Sequence, residues 1–220
     1  MKRLLVFPIL SIAFMTTISG CRYVGRGIQG SGVRKIEKRD IGAFKSIETS
    51  GAYEVRIACQ QSASFEIEGD DNLLPLMKTE VRDSVLHIHN DQSYHSTKAI
   101  IVRIGVADLE SFTTNGAGEI HITNVKNDRI RISSTGAADI EASGQTKMAD
   151  ISSTGAGNVN AEKLHAERAK ISVTGAANVD VYASQQLDVT VSGVGSVTYA
   201  GNPPVVNKNV TGIGSINKKE

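Results

Sequence analysis

From about residue 110 to the end, apolar and polar residues alternate in short runs. Around Gly136, one parity holds Ile130, Ile132, Ala138, Ile140 and Ala142, and the other holds Arg129, Arg131, Thr135, Asp139 and Glu141. A period of two places one set on each face of a β-strand, whereas a helix would repeat near 3.6 residues. The same alternation returns as Ile171, Val173, Ala177, Val179, Val181 and as Val189, Val191, Val197, Tyr199.

The alternation is carried by a repeated phrase. "TTNGAGEIHI", "SSTGAADIEA", "SSTGAGNVNA", "SVTGAANVDV", "TVSGVGSVTY" and "NVTGIGSINK" align on Gly116, Gly136, Gly155, Gly175, Gly193 and Gly212, at intervals of 20, 19, 20, 18 and 19 residues. A more divergent copy, "ETSGAYEVRI", puts Gly51 at the same point. A period near 20 is the signature of a solenoid. Strand-period repeats of that length predict an all-β fold, a single-stranded right-handed parallel β-helix with ~20-residue coils, stacked about 4.8 Å apart. The seven glycines are predicted coil corners, where a Cβ has no room or a positive φ is required. The residues just before them (Asn115, Thr135, Thr154, Thr174, Ser192, Thr211) and three after (Glu119, Asp139, Asn158, Asn178, Ser196, Ser215) are predicted to stack as two outward polar ladders.

Between Gly51 and Gly116 lie 65 residues, the length of about three coils. Within them "GDDNLLPLMKTEV" breaks the pattern. Asp71-Asn72 can cap a helical turn there, while Leu73, Leu74, Leu76 and Met77 can cover an end of the coil. Pro203 and Pro204 interrupt the last interval.

The N-terminus reads differently. Met1-Lys2-Arg3 is a positive n-region, Leu4 to Ile18 is apolar, and Ile18-Ser19-Gly20-Cys21 resembles a bacterial lipobox. A 15-residue apolar run would make a helix of roughly 22 Å, short of the ~30 Å hydrocarbon core. The predicted organisation is a lipoprotein signal peptide over 1–20, a lipidated Cys21 with a flexible tether over 21–35, and a β-helix domain over 36–220. Arg22 lacks the acidic character of an inner-membrane retention signal, so the expected location is the outer membrane, facing the periplasm or the cell surface. "GRGIQG" contains a literal G-x-G-x-x-G at Gly25, Gly27 and Gly30. It lacks the preceding strand and following helix of a dinucleotide site, so no cofactor is expected.

Composition adds constraints. With 5% aromatic residues, no Trp and 21 glycines, small residues must do much of the packing. The 24 basic and 23 acidic side chains become 22 against 23 once Lys2 and Arg3 leave with the leader, a balance that does not favour nucleic acid. With Cys21 acylated, Cys59 has no disulfide partner, and its shared parity with Val55 and Ile57 predicts a small buried hydrophobe.

"VRIACQQSASFEIEGDDNLLPLMKTEVRDSVLHIH", followed by "STGAADIEAS" and "VTGAANVDV", resembles the family of bacterial envelope proteins described as putative auto-transporter adhesin, head GIN domain. The resemblance covers roughly residues 36–217. It implies a β-helical envelope protein or lipoprotein of the kind common in Bacteroidetes and other Gram-negative bacteria, with no catalytic residues attached.

Chemistry is sparse. His87 and His89 sit at i and i+2 with His95 nearby, but no Cys or carboxylate follows at a metal-ligand spacing, so they are predicted surface histidines and no metal is expected. Asp139, Asp150, Lys170 and Asp188 are the residue types of β-helical polysaccharide lyases and hydrolases, yet they fall at different phases of the repeat. Ser133, Ser152 and Ser172 belong to the repeat, since no G-x-S-x-G is present. The sequence therefore predicts a non-enzymatic envelope protein with a structural, adhesive or ligand-binding role. The expected partners are the membrane through Cys21 and a polysaccharide or another envelope protein. The alternatives are a polysaccharide-acting enzyme and a self-assembling scaffold, a homo-oligomer joined through strand edges. Any specific site is expected where the phrase fails to repeat, chiefly between Gly69 and Ala99, and Tyr53, Tyr94, Tyr182 and Tyr199 are candidates to gather along a groove of the stack.

Overall fold

The computed structural model describes residues 27–219, and Cys21 and the leader lie outside them. The fold is all-β. Apart from a two-stranded parallel ladder of β1 (Ile28–Gln29) and β8 (Tyr94–His95), the strands join one curled sheet. Among the described residues the only helical element is a 3₁₀ turn, Leu74–Leu76.

Residues 117–193 are extended without a break as β11 (Ala117–Gly193). Drawn straight, 77 residues would reach on the order of 250 Å. The chain instead returns over itself. The Ala137 amide donates to the Gly116 carbonyl (2.9 Å) and Val194 to Gly175 (2.8 Å), while Gly155 packs on Gly136 and Gly175 on Gly155. The same offsets continue in parallel pairing with β12 (Ser196–Ala200; Asn178↔Ser196) and β13 (Val205–Gly212; Gln186↔Val205). From there they reach β14 (Ser215–Lys218; Ser196↔Ser215). Each pass thereby gives its backbone groups to the passes above and below it.

The side chains follow the predicted parity: Ile130, Ile132, Ala138, Ile140 and Ala142 are buried, and Arg129, Arg131, Thr135, Asp139 and Glu141 are not. One inward column changes character along the stack, apolar at Ile88 beside the capped end, then polar, then apolar again. Thr49, Thr114, Ser134 and Ser153 are buried hydroxyls, followed by Val173 and Val191.

The interval from Gly51 to Gly116 departs from the expectation of about three further coils. Ala117 N–H donates to the Gly51 carbonyl (3.0 Å) and Ala52 bridges Ala117 in parallel, so the two glycines are on neighbouring passes. β3 (Ser46–Ser50) lies between β10 (Ser111–Thr114) and β7 (Val85–Asn90), and β4 (Tyr53–Cys59) lies between β11 and β9 (Ile100–Val106). The chain thus lays down the pass 46–59, slips the pass 85–106 beneath it, and then steps over both to begin the regular repeat.

The strands outside this pair reverse direction. β5 (Ser64–Asp70) runs antiparallel on β9, β6 (Met77–Arg82) antiparallel on β7, and β2 (Arg34–Arg39) antiparallel on β5. The turn joining β5 to β6 buries Leu73, Leu74 and Met77, which covers this end of the core as expected. Asp71 and Asn72 do not cap the turn. Its N-cap is Leu73, without a side-chain bond, because the Asn72 amide is committed to Ser31 N (2.9 Å) and Gln29 O (2.8 Å) and Asp71 accepts from the Ser31 hydroxyl (2.5 Å). Those contacts also revise the tether. Residues 28–35 lie on the domain, with Ile28 paired to Tyr94 and the Gly32 amide directed at the buried Asp70 carboxylate.

Candidate functional site

The outward side chains of β4, β9 and β5 meet across the passes in two adjacent lines. One runs Glu66, Arg103, Arg56, His121, and the next runs Ser64, Gly105, Ala58, Thr123. Long polar side chains therefore stand beside a line of small ones, and the difference in height leaves an open groove of about 770 Å³, with Lys38 and Gln61 also on its rim. A sequence signal for it exists. "VRIA" (Val55–Ala58) and "VRIG" (Val102–Gly105) are nearly the same phrase, and the structure stacks them residue on residue.

The long side chains are held by one another. Arg103 donates to Glu66 (3.1 Å) and Glu68 (2.9 Å), Arg34 donates to Glu68 (3.2 Å), and Arg56 donates to Glu54 (2.6 Å). His121 Nδ1 lies 3.3 Å from Glu141. The bond from Arg103 holds the Glu68 carboxyl below its usual range, and the same bond raises the Arg103 guanidinium. The groove thus presents guanidiniums already paired with carboxylates, and Lys38, Arg56 and Arg103 outnumber Glu66 along its lining. Its arginines can donate hydrogen bonds and Glu66 can accept them.

A second groove of about 600 Å³ lies at the corner formed by Ala52–Glu54, Tyr94–Ile100 and Ala117–Glu119, and so partly within the span where the phrase fails to repeat. Its tyrosines serve the fold: Tyr94 donates to the Ala52 carbonyl (2.9 Å), and the Tyr53 hydroxyl lies 2.6 Å from Asn90 Oδ1. Burial pushes both phenols up. Tyr182 instead stacks on His165 (4.6 Å between ring centres), and Tyr199 is buried under Lys208. The four tyrosines do not converge.

The other sequence candidates are also dispersed. His87 faces Glu48 (3.4 Å), a carboxylate distant in the chain, and His89 faces Asp91 (3.7 Å), two residues on, while His95 pairs through its backbone with Gln29. Among the described residues no three His, Cys, Asp or Glu side chains converge as metal ligands. Asp139 accepts from Asn158 (2.8 Å), Asp150 faces Arg131 (3.5 Å), and Asp188 accepts from Asn207 (2.7 Å), three separate places on the stack. Cys59 is a free, buried thiol whose pKa burial pushes up to about 11, far from the low-pKa, exposed state that a nucleophile requires. The ladder three residues after the glycines carries side-chain bonds, Asn178 to Asn158 (3.1 Å), Asn158 to Asp139, and Ser196 with Ser215 (3.3 Å).

Gly51, Gly136, Gly155, Gly175, Gly193 and Gly212 have φ between +122° and +141°. Gly116 is not in that region, but a Cβ there would collide with the Gly51 carbonyl.

An all-β stack that offers an open groove is the architecture of a binding or structural module. The chain belongs to the family described as "Putative auto-transporter adhesin, head GIN domain", whose profile matches residues 43–203. Among solved structures it is similar to a putative adhesin from Bacteroides fragilis, with a TM-score of 0.73 and 23% identity over 88% of this chain and 100% of that one. It is also similar to a putative lipid binding protein from Parabacteroides distasonis, with a TM-score of 0.50 and 20% identity over 89% and 100%. At these identities the likeness is one of fold. No curated protein matches the chain. No helix among the described residues is long and apolar enough to cross a membrane.

Proposed function

We propose that this chain is a lipid-anchored cell-envelope protein with an adhesive or ligand-binding role, and that the groove over Ala58 and Gly105 is its binding face. The observation that carries the reading is the pairing of a small-residue floor with a wall of ion-paired side chains, Arg56, Arg103 and Glu66. A hydroxyl-rich polymer such as a polysaccharide fits it, because each sugar hydroxyl can both donate to a carboxylate and accept from a guanidinium. The names of the similar structures, an adhesin and a lipid binding protein, agree with a binding role. The repeat offsets and stacked glycines support coiling as a single-stranded right-handed parallel β-helix, with Gly51, Gly116, Gly136, Gly155, Gly175, Gly193 and Gly212 at its corners.

The test is a glycan array followed by titration of the best ligand with Ala58→Trp, which fills the floor of the groove. The expected result is binding weakened about tenfold or more, a loss of ~1.4 kcal/mol. Equal binding by the two proteins would remove the groove from consideration.

The anchor rests on Cys21 and its lipobox. Two or three acyl chains, at ~0.8 kcal/mol per buried CH₂, hold a domain on a membrane where a single chain does not. Cys21→Ala is expected to lose both palmitate labelling and sedimentation with the outer membrane. Retention of both would rule the anchor out.

A further inference from the structure

The glycine-rich segment before β2 is bonded to the domain from Ile28 onward. The Ile28 amide donates to the Ser93 carbonyl (2.9 Å) and the Gly30 amide to the His95 carbonyl (2.7 Å), while Gln29 and Ser31 are held by Asp71 and Asn72. A Cβ at Gly30 would collide with the buried Asp70 carboxylate, and one at Gly27 would stand 2.8 Å from the His95 ring. Two glycines of the G-x-G-x-x-G thus let the backbone lie close against the domain. The docking shortens the reach of the chain. Cys21 precedes Gly27 by six residues and Arg34 by thirteen, and six residues span at most ~22 Å where thirteen would span ~47 Å.

The docked segment lies at the capped end of the stack. Among the described residues β1 pairs only with β8, β2 only with β5 and β6 only with β7, so these are the outermost strands of that end. Val33 and Ile36 are 59% and 56% exposed there. The guanidinium of Arg39 spans the two rims, donating to the carbonyls of Leu74 (3.0 Å) and Met77 (2.6 Å), and Arg34 is turned onto Glu68 (3.2 Å). Lys35 and Lys38 are left outside these contacts. Lys35 is exposed, and Lys38, whose side chain is 82% exposed, approaches Glu66 only to 4.0 Å. Exposed apolar side chains with lysines between them suit a lipid surface, where the ammonium meets phosphate and the hydrocarbon stem stays with the apolar groups. Residues 22–39 carry six Lys or Arg and one Glu, a balance that favours anionic lipid.

We propose that the capped end of the stack rests on phospholipid headgroups, with Val33, Lys35, Ile36 and Lys38 at the contact and the passes from Gly116 onward leading away from the bilayer. The short reach from Cys21 ends at this face, so the docked segment sets how the domain stands as well as how far it extends. A second copy adding a strand fits less well, because Arg39 already ties the rims of β2 and β6 together. The proposal rests on the lipid anchor at Cys21 and is independent of the groove over Ala58 and Gly105.

Fluorescence quenching on the full lipoprotein tests it. Ile36→Cys, and separately Ile213→Cys on the last described pass, is labelled with a fluorophore while Cys59 stays buried. Each protein is reconstituted in vesicles of phosphatidylethanolamine and phosphatidylglycerol that carry a lipid spin-labelled near its headgroup. The label at position 36 is expected to be quenched at least about threefold more strongly than the one at position 213. About twenty Gly or Ser residues inserted between Arg26 and Gly27, which add roughly 25 Å of r.m.s. reach, are expected to lower the quenching at position 36 by about half or more. Flotation with the vesicles should not change. Equal quenching at the two positions in protein that floats, or quenching at position 36 that the insertion leaves unchanged, overturns the proposal and leaves the anchor standing. Shielding of the position 36 label from aqueous iodide without lipid quenching would mean that a second copy covers the edge, and overturns it too. Protein that does not float overturns the anchor, and the proposal with it.

Discussion

Gly136→Val is expected to lower the stability of the domain by about 3 kcal/mol or more. Two costs add at this position. The backbone has φ +133°, a region essentially closed to residues with a Cβ, and such strain costs of order 1–3 kcal/mol. The added Cβ would also collide with the carbonyl oxygen of Gly116 on the pass below. That carbonyl cannot swing away freely, because it accepts the hydrogen bond from Ala137. Relief therefore means separating two passes near the middle of the stack, where each pass is held only by its neighbours. For a domain of this size the loss corresponds to a melting temperature lower by roughly 6–12 °C, measured by far-ultraviolet circular dichroism. Ala137→Val is the control. The equivalent positions on later passes hold Val194 and Ile213, both exposed, so this change should melt within a few degrees of the wild type. If the two variants melt together, the glycine column is not a steric requirement.

The alternation from Gly116 onward was legible because the repeat states its parity six times and its offset five times over, and a single error in any copy would be outvoted by the rest. The capped end was not. Gly51 carries the same phrase, yet nothing in a count of 65 residues says that the chain passes beneath itself and returns. Strand direction is equally silent in sequence: β5 and β6 have the same alternation as β7 and β9 but run the other way. What the sequence did show was the end-covering role of Leu73, Leu74 and Met77, because an apolar cluster interrupting a strand pattern has nowhere to go but over an open core.

The groove was missed for a related reason. Its floor joins Ala58, Gly105 and Thr123, residues far apart in the chain that only the strand register brings side by side. The span from Gly69 to Ala99 supplies one side of the second groove and none of the lining of the first. A site on a stacked sheet is built across passes, so a local break in the repeat is a poor guide to it, and matching phrases such as "VRIA" and "VRIG" are a better one.

The second large effect is expected at the joint between the capped end and the regular stack. Phe112 is fully buried on β10, between Ile47 of β3 and Ile132 of β11. Truncating a buried Phe removes the transfer free energy of its ring and leaves a cavity, typically ~3–5 kcal/mol together. Here the cavity has little prospect of collapsing. Both neighbours in the column belong to strands tied by parallel ladders on either side, and the adjacent inward column holds the short hydroxyl side chains Thr49, Thr114 and Ser134. Phe112→Ala should therefore fall at the upper part of that range, and Phe112→Leu, which keeps most of the volume, should cost under ~1.5 kcal/mol. Urea unfolding distinguishes the outcomes: a lower midpoint with an unchanged slope reports lost packing in one cooperative unit. A second transition for Phe112→Ala would mean that the capped end, residues 28–106, and the passes beyond it unfold separately. A loss of less than ~1 kcal/mol would mean that the joint repacks, and the continuous core described here would not be what couples the two halves.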